Sequence, residues 1–106
     1  MKKHLTRKEK GNKLEAYVVG KLIEMGDKYA RPTRGSGNKS EIGDVYSSLY
    51  YVECKHRDKK NIVIPISVID KLKKKIPINT DKIPIWVYEN IEGRKFVIIE
   101  AENFFI

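Results

Sequence analysis

The residues best suited to chemistry lie in one short stretch in the middle of the chain. Glu53 and Lys55 are separated by a single residue within an apolar segment, and residues two positions apart in a β-strand point to the same face. If Ser48 and Leu49 form a hairpin turn, Asp44 pairs directly opposite Glu53 and shares that face. Two carboxylates and a lysine then converge. Hard cations such as Mg²⁺ prefer carboxylate oxygens, and a neighbouring ammonium can hold a phosphate oxygen or the attacking water.

An ordinary surface hairpin with a Glu–Lys pair is the alternative interpretation of these residues. Glu-x-Lys triplets are common in strands, and such a pair needs no function. The apolar residues Tyr50–Val52 and Cys54, however, indicate that the strand is buried on at least one face. Charged residues are seldom fully buried unless they are paired or bind a metal. On Asp44, Glu53 and Lys55 alone, both interpretations stay open.

The composition indicates one globular domain, spanning residues 1–106, with a polyanionic partner. A chain of 106 residues fits one domain. Its net charge of +8 and pI of about 9.6 favour nucleic acid as the partner. Lysine and arginine are concentrated in residues 1–13, 55–60 and 71–75. A generic solubilising surface is the alternative, but the clustering around the candidate site favours nucleic acid.

Several other classes of protein are disfavoured by the sequence. No run approaches the roughly 20 apolar residues of a membrane span, so we expect no membrane partner. The basic N-terminus lacks the apolar core of a secretory signal. The single cysteine, Cys54, can form neither an internal disulfide nor a zinc cluster by itself. We therefore expect an intracellular, cytoplasmic protein.

The first predicted element is a helix that carries a further carboxylate. Thr6 and Glu9 fit a capping box, and the helix should run from Arg7 to about Met25, with Gly26 just beyond its end. Apolar residues recur along it at helical spacing. Glu15 lies at the border of that apolar face and is most simply an exposed charge. If the helix packs on the hairpin sheet, Glu15 can instead point toward the two central carboxylates.

A loop rich in glycine and serine, residues 34–40, precedes the central aspartate. Its glycines allow unusual backbone dihedrals and close backbone approach. Arg34, Ser36, Asn38 and Lys39 are all potential phosphate donors. A flexible loop is the alternative interpretation. The segment is not a P-loop, which has a different spacing and a helix directly after it.

The rest of the chain predicts further strands and one more helix. We expect a strand at Lys28–Thr33, a helix capped by Ser67 and running to about Lys75, and strands at Ile83–Glu89 and Lys95–Glu100. Pro84 indicates that its strand lies toward a sheet edge. Trp86 and the apolar tail Asn103–Ile106 are most simply core residues. With the hairpin, the order is helix, three strand segments, helix and two strands.

In this order, the helix glutamate, the Gly/Ser loop, the aspartate and the Glu-x-Lys are similar to the PD-(D/E)xK nuclease superfamily. Within it, the chain most resembles the archaeal-type Holliday junction resolvases, which viruses and phages also carry. The likeness covers roughly residues 7–60. The matching residues are Lys10, Gly11, Glu15, Arg34, Ser36, Asp44, Glu53 and Lys55. Gly43 stands where the superfamily motif has proline, which many members lack.

The resemblance implies a fold, a reaction and a set of site residues. The fold is mixed α/β (α+β), a restriction-endonuclease-like core in which a small mixed central β-sheet is flanked by helices. The reaction is metal-assisted phosphodiester hydrolysis. Asp44, Glu53 and the Cys54 carbonyl would hold Mg²⁺ or Mn²⁺, with Glu15 as a candidate further ligand. The catalytic residues would be Glu15, Ser36, Asp44, Glu53 and Lys55. Those expected to contact DNA are Lys10, Arg34, Ser36, Lys39, Arg57, Lys59 and Lys60.

The resemblance also implies a homodimer that resolves four-way (Holliday) DNA junctions, located in the host cytoplasm if the chain is viral. Two alternatives remain open. One is another small nuclease of the same fold, such as a phage nicking or packaging-associated endonuclease. The other is a basic DNA-binding protein without catalysis. Preference for four-way over linear DNA separates a resolvase from the first, and dependence on metal separates it from the second.

Overall fold

The computed structural model describes residues 5–33 and 41–106. Within them, a mixed α+β arrangement is observed, as expected from the sequence. Its elements are α1 (Arg7–Glu24), β1 (Arg31–Pro32), β2 (Val45–Tyr46), β3 (Tyr50–His56), α2 (Ile66–Lys73), β4 (Ile83–Glu89), β5 (Lys95–Ile99) and α3 (Ala101–Phe104). No helix in this part of the chain is long and apolar enough to span a membrane.

The five strands form one mixed sheet in the order β1-β2-β3-β4-β5. Only β3 and β4 run parallel, with Glu53 opposite Trp86, and the other neighbouring pairs are antiparallel. The hairpin register pairs Tyr46 with Tyr51 and Val45 with Val52, which confirms the predicted turn at residues 48–49. The pairing ends there, because the Asp44 amide donates to the Val52 carbonyl at 2.7 Å, so the predicted direct pair of Asp44 with Glu53 is not part of the sheet.

The prediction that Pro84 marks an edge strand is wrong, because β4 lies between β3 and β5. Backbone groups of alternate residues in a strand point to opposite neighbours. The amide of Asn90 donates to the carbonyl of Arg94 at 3.0 Å, so even-numbered residues of β4 face β5. The position opposite Pro84 is then Glu100, beyond the last residue of β5. The missing N–H of the proline costs the sheet no hydrogen bond.

Helix α1 covers one face of the sheet and begins as predicted. The Thr6 hydroxyl accepts from the Glu9 amide at 3.1 Å, and the Glu9 carboxylate accepts from the Thr6 amide at 3.3 Å. Gly26 follows the helix with a φ of 103°, a conformation that favours glycine. The buried stripe of α1 packs on apolar residues of three strands. This cluster contains Leu14, Val18, Leu22, Ala30, Val45, Val52, Ile85 and Val87.

Helix α2 covers the other face, above Trp86 and Tyr88, with Leu72 at the centre of the contact. The predicted cap at Ser67 is wrong, and the helix ends at Lys73 rather than near Lys75. Pro65 holds the N-cap position because its extended backbone directs its carbonyl to the Val68 amide, at 3.0 Å. Trp86 is completely buried, as predicted.

Two other predicted elements differ from the structure. The strand expected at Lys28–Thr33 is reduced to β1, because Ala30 donates back to the Asp27 carbonyl in a turn, at 3.1 Å. The C-terminal tail is not in the core. Its aromatic rings, Phe104 and Phe105, pack edge-to-face on each other with centroids 5.0 Å apart, and both remain exposed.

Candidate active site

The position of Asp44 depends on the glycine before it. Gly43 has a φ of 85°, and a Cβ at this position would lie 2.4 Å from the carbonyl oxygen of Val52. Only glycine fits such a close approach without a backbone shift. The turn lets the Asp44 amide donate to Val52 at 2.7 Å, while the Asp44 carboxylate accepts from the Cys54 amide at 2.8 Å. The close approach of Gly43 to Val52 therefore fixes where the Asp44 carboxylate lies.

The Glu53 carboxyl has a strongly raised pKa. Its pKa is raised to about 7, first by burial and then by the charge of the Asp44 carboxylate and a hydrogen bond with it. The charges of Lys55 and Lys75 oppose this shift only in part. Two carboxylates held this close need either a shared proton or a cation between them. The predicted convergence of Asp44 and Glu53 is therefore confirmed.

Two lysines accompany this carboxylate pair. The Lys55 ammonium lies 3.9 Å from a Glu53 carboxylate oxygen and is half-buried, as strand alternation predicts. Lys75, just beyond the end of α2, acts on the same carboxylate. The sequence placed Lys75 only on the wet side of a helix. Helical periodicity does not define how α2 is placed on the sheet. This placement decides which lysine of residues 71–75 comes close enough to affect Glu53.

Glu15 lies within electrostatic reach of the pair. Burial raises the pKa of its carboxyl, and the Asp44 carboxylate raises it further. Glu15 also contributes to the raised pKa of the Cys54 thiol, after burial and Asp44. Among residues 5–33 and 41–106, however, no three His, Cys, Asp or Glu side chains converge closely enough to hold a metal ion. Glu15 is thus near the pair without closing a three-carboxylate site.

The donor set of the site fits a hard divalent cation. The amide of Cys54 points toward Asp44, and in a strand the carbonyl of the same residue points to the same side. Strand β2 begins only at Val45, so this carbonyl emerges beside the carboxylate pair. Mg²⁺ commonly uses one or two carboxylates and keeps several waters. Asp44, Glu53 and the Cys54 carbonyl can therefore hold Mg²⁺ or Mn²⁺.

A groove of about 680 Å³ leads away from the lysine of the site. We call it the basic groove, and its cationic walls are Arg7, Lys55, Arg57 and Lys59, with Asp58 as the acid. Gly11 forms part of the wall, and a Cβ there would meet no atom within 4 Å. The backbone of Arg57 is fixed by its amide, which donates to Glu89 at 2.8 Å. The groove matches a phosphate backbone in charge.

The residues expected to contact DNA divide into three groups. Arg57 and Lys59 line the basic groove. Lys60 lies on the other side of the same segment, in a separate pocket with Arg94, and Lys10 is held by Asp58 at 2.7 Å. The remaining three predicted contacts lie outside the described residues and are Arg34, Ser36 and Lys39. Ser36 was also predicted as a catalytic residue.

A histidine bridge beside the site was missed by the sequence reasoning. Nδ1 of His56 lies 2.6 Å from Glu89, and Nε2 lies 2.9 Å from Asp58. The two carboxylates are in turn paired with Lys95 and Lys10. This series of side-chain contacts therefore links the start of α1 to the ends of β3 and β4. No spacing signal predicts the bridge, because Glu89 meets His56 only through the β3–β4 register.

Asp27, which the sequence reasoning also missed, holds the turn of the β2–β3 hairpin. Its buried carboxylate accepts from the Ser47 hydroxyl at 2.6 Å, and from the Ser48 hydroxyl and amide at 2.8 and 3.0 Å. Burial raises its pKa, but these hydrogen bonds and the charge of Lys82 outweigh burial, so that the pKa is lowered. We call this group the Asp27 clasp. It fixes the turn that sets the register of Glu53.

Comparison with protein-family models, with curated proteins and with solved structures finds no match for this chain.

Proposed function

We propose that this protein is a metal-dependent endodeoxyribonuclease that hydrolyses DNA phosphodiester bonds. One observation carries the proposal: Asp44 and Glu53 share a site in which the pKa of Glu53 is raised to about 7, and Lys55, which lies 3.9 Å from Glu53, lines the basic groove. Such a carboxylate pair is costly without a cation, and perturbed carboxyl groups in a cleft are typical of functional sites. The four-way junction as substrate, and the homodimer, rest on the sequence resemblance.

The residues of the site divide the work of hydrolysis. Asp44, Glu53 and the Cys54 carbonyl would hold the metal ion, which would acidify a water and neutralise charge on the phosphate. Lys55 orients the attacking water or a phosphate oxygen, since its ammonium lies beside Glu53. Arg57 and Lys59 hold neighbouring phosphates along the basic groove. Glu15 acts through Asp44 and positions the carboxylate pair rather than binding metal directly.

A non-catalytic DNA-binding protein is the second candidate. The observation in its favour is that no three metal-binding side chains converge within the described ranges, 5–33 and 41–106. The basic groove alone would suffice for binding to the DNA backbone. The two candidates differ in their response to metal, because removal of Mg²⁺ from a pure binder changes nothing.

The deciding experiment compares a synthetic four-way junction with a linear duplex of the same sequence, with Mg²⁺, with Mn²⁺ and with EDTA. We expect cleavage only with metal, and more of it on the junction. Glu53→Gln should abolish cleavage and retain DNA binding, since it removes the anionic ligand but keeps the shape. Glu102→Gln is the control, because this acid is exposed on α3. Full cleavage by Glu53→Gln would end the nuclease assignment at this site.

A further inference from the structure

An exposed apolar segment borders the basic groove. Val63 and Ile66 are 74% and 70% exposed, and Ile64 is 38% exposed. With Pro65 they form a continuous apolar segment, which we call the apolar tip. Val63 and Pro65 line the same groove as Lys55 and the other cations. Apolar side chains do not bind phosphates, so the apolar tip is suited to contact an apolar part of a ligand.

The apolar tip is held rigidly at both ends. Before it, the Asn90 side chain donates to the Lys60 carbonyl, and the Ile91 amide donates to the Lys59 carbonyl, each at 3.1 Å. Ile62 packs against the core beneath α2. After it, Pro65 begins that helix. The exposed side chains therefore stand on a fixed support, and little conformational entropy is lost when they bind a partner.

The charges around the tip indicate what it meets. Arg57 and Lys59 line the same groove as Val63 and Pro65. If the two cations hold phosphates of a DNA strand, the apolar side chains beside them face its sugars and bases. In an intact duplex the faces of the bases are stacked and out of reach. Proteins that insert apolar side chains between base steps must first unstack those bases, which costs free energy. At a branch, nick or mismatch a base face is already open, so this cost is avoided.

We propose that the apolar tip is a wedge that packs against an unstacked base, and that it makes the basic groove selective for branched or distorted DNA over intact duplex. Val63 is its leading residue, because it is the most exposed of the three and lies in the groove. The proposal rests on the DNA-binding part of the proposed function, but it does not require cleavage.

The test replaces Val63 by serine, which is smaller and polar and removes the apolar contact. Binding of a four-way junction and of a matched duplex is measured in EDTA, with 2-aminopurine at the branch to report unstacking. Loss of one buried valine contact should weaken junction binding roughly five- to tenfold and reduce the 2-aminopurine signal. Duplex affinity and salt dependence should not change. Val63→Leu should restore junction binding.

Two controls separate the wedge from simpler causes. Ile78→Ser alters a fully exposed isoleucine that does not line the basic groove and should behave as the wild type. Lys59→Ala should weaken binding of the junction and of the duplex equally, and should reduce the slope of log affinity against log salt by about one. Thermal unfolding of Val63→Ser should match the wild type, since an exposed side chain adds little to stability.

Three results would overturn the proposal. An unchanged junction-to-duplex ratio in Val63→Ser would remove the wedge while leaving DNA binding intact. A change in sedimentation instead of DNA affinity would identify the tip as a contact between copies of the chain. Failure of the wild-type protein to bind either DNA would overturn the wedge and the proposed function together, and is recognised before any variant is made.

Discussion

At the scale of single residues, the Glu53 carboxyl links function to stability. Its pKa lies at about 7, above its ordinary value of 4.5. Between these two values the folded chain keeps a proton that the unfolded chain releases. Stability is therefore greatest below about pH 4.5 with respect to this group and falls as the pH rises toward 7. Metal binding removes this unfavourable charge, and metal and proton compete for the same site.

Glu53→Gln should accordingly stabilise the metal-free protein at about pH 8 while abolishing cleavage. The gain is at most a few kcal/mol, since one pKa unit corresponds to about 1.4 kcal/mol. Urea unfolding at about pH 5 and 8 checks this, because the wild-type free energy of unfolding should decrease between them more than that of the variant. Mg²⁺ should raise the stability of the wild type alone. Identical pH dependence in both proteins would show that Glu53 titrates normally.

Glu15→Gln tests whether the helix glutamate serves the site. Glu15 lies close enough to Asp44 for that carboxylate to raise the Glu15 pKa. If Glu15 positions the carboxylate pair, we expect cleavage to fall by at least tenfold with an unchanged melting temperature. Glu24→Gln is the matched control, since it changes the same residue type on an exposed part of the same helix. Cleavage assays on both variants decide the matter. Equal activity would show that Glu15 is only a border charge of α1.

What the sequence could predict at this scale was local. Asp44, Glu53 and Lys55 were found because strand alternation and one tight turn determine their positions. The His56–Glu89 contact could not be predicted, since it depends on a parallel register between segments 33 residues apart. The Asp27 clasp likewise joins residues across 20 positions. Nothing short-range marks such pairs.

At the scale of elements, the Asp27 clasp is the support of the hairpin. Asp27→Asn should destabilise the fold by about 1–3 kcal/mol, because buried donors on Ser47 and Ser48 lose a charged acceptor. The lowered pKa of Asp27 means that its contribution is present above about pH 4 and is lost as the pH falls further. Thermal unfolding near neutral pH measures the effect, with Asp81→Asn as the exposed control. Equal melting temperatures would contradict the role.

The errors at the scale of elements have one cause. Helix α1 was predicted with its cap because the Thr6–Glu9 box is encoded within four residues. The edge position expected for Pro84 and the cap expected at Ser67 were wrong because tertiary placement decided both. Strand β5 ends before the position opposite Pro84, so the proline costs no hydrogen bond there. Helix α2 is capped by Pro65, two residues before the predicted cap. Local sequence signals predict which helices and strands form, but they predict the positions of these elements in the fold less well.

At the scale of the whole molecule, positive and negative charges are concentrated in different parts of the chain. The basic groove lies at one part of the surface, whereas from Asp81 onward acids outnumber bases. In that acidic region, β5 forms a sheet edge and Val97 is 63% exposed. Val97 pairs with Val87 outside the hydrogen-bonded set, so its backbone groups point outward. Two copies could pair edge to edge about a two-fold axis at this residue.

The homodimer implied by the resemblance should therefore depend on β5. We expect the wild-type protein to sediment as a dimer at micromolar concentration and Val97→Lys to sediment as a monomer, since an edge lysine blocks strand pairing. Ile78→Lys, equally charged but remote from the edge strand in sequence, should remain a dimer. A wild-type monomer that still makes paired, symmetric cuts would contradict the dimer.

The setting of Cys54 has a practical consequence. Burial and three carboxylates, led by Asp44, raise the pKa of its thiol far above the usual range. Only the thiolate reacts with maleimides and iodoacetamides, so this sulfur is nearly inert at neutral pH. The chain contains no other cysteine. The natural sequence is thus a ready background for fluorophore labelling: a cysteine introduced at an exposed position such as Ile78 would take up dye selectively, with the site left unaltered.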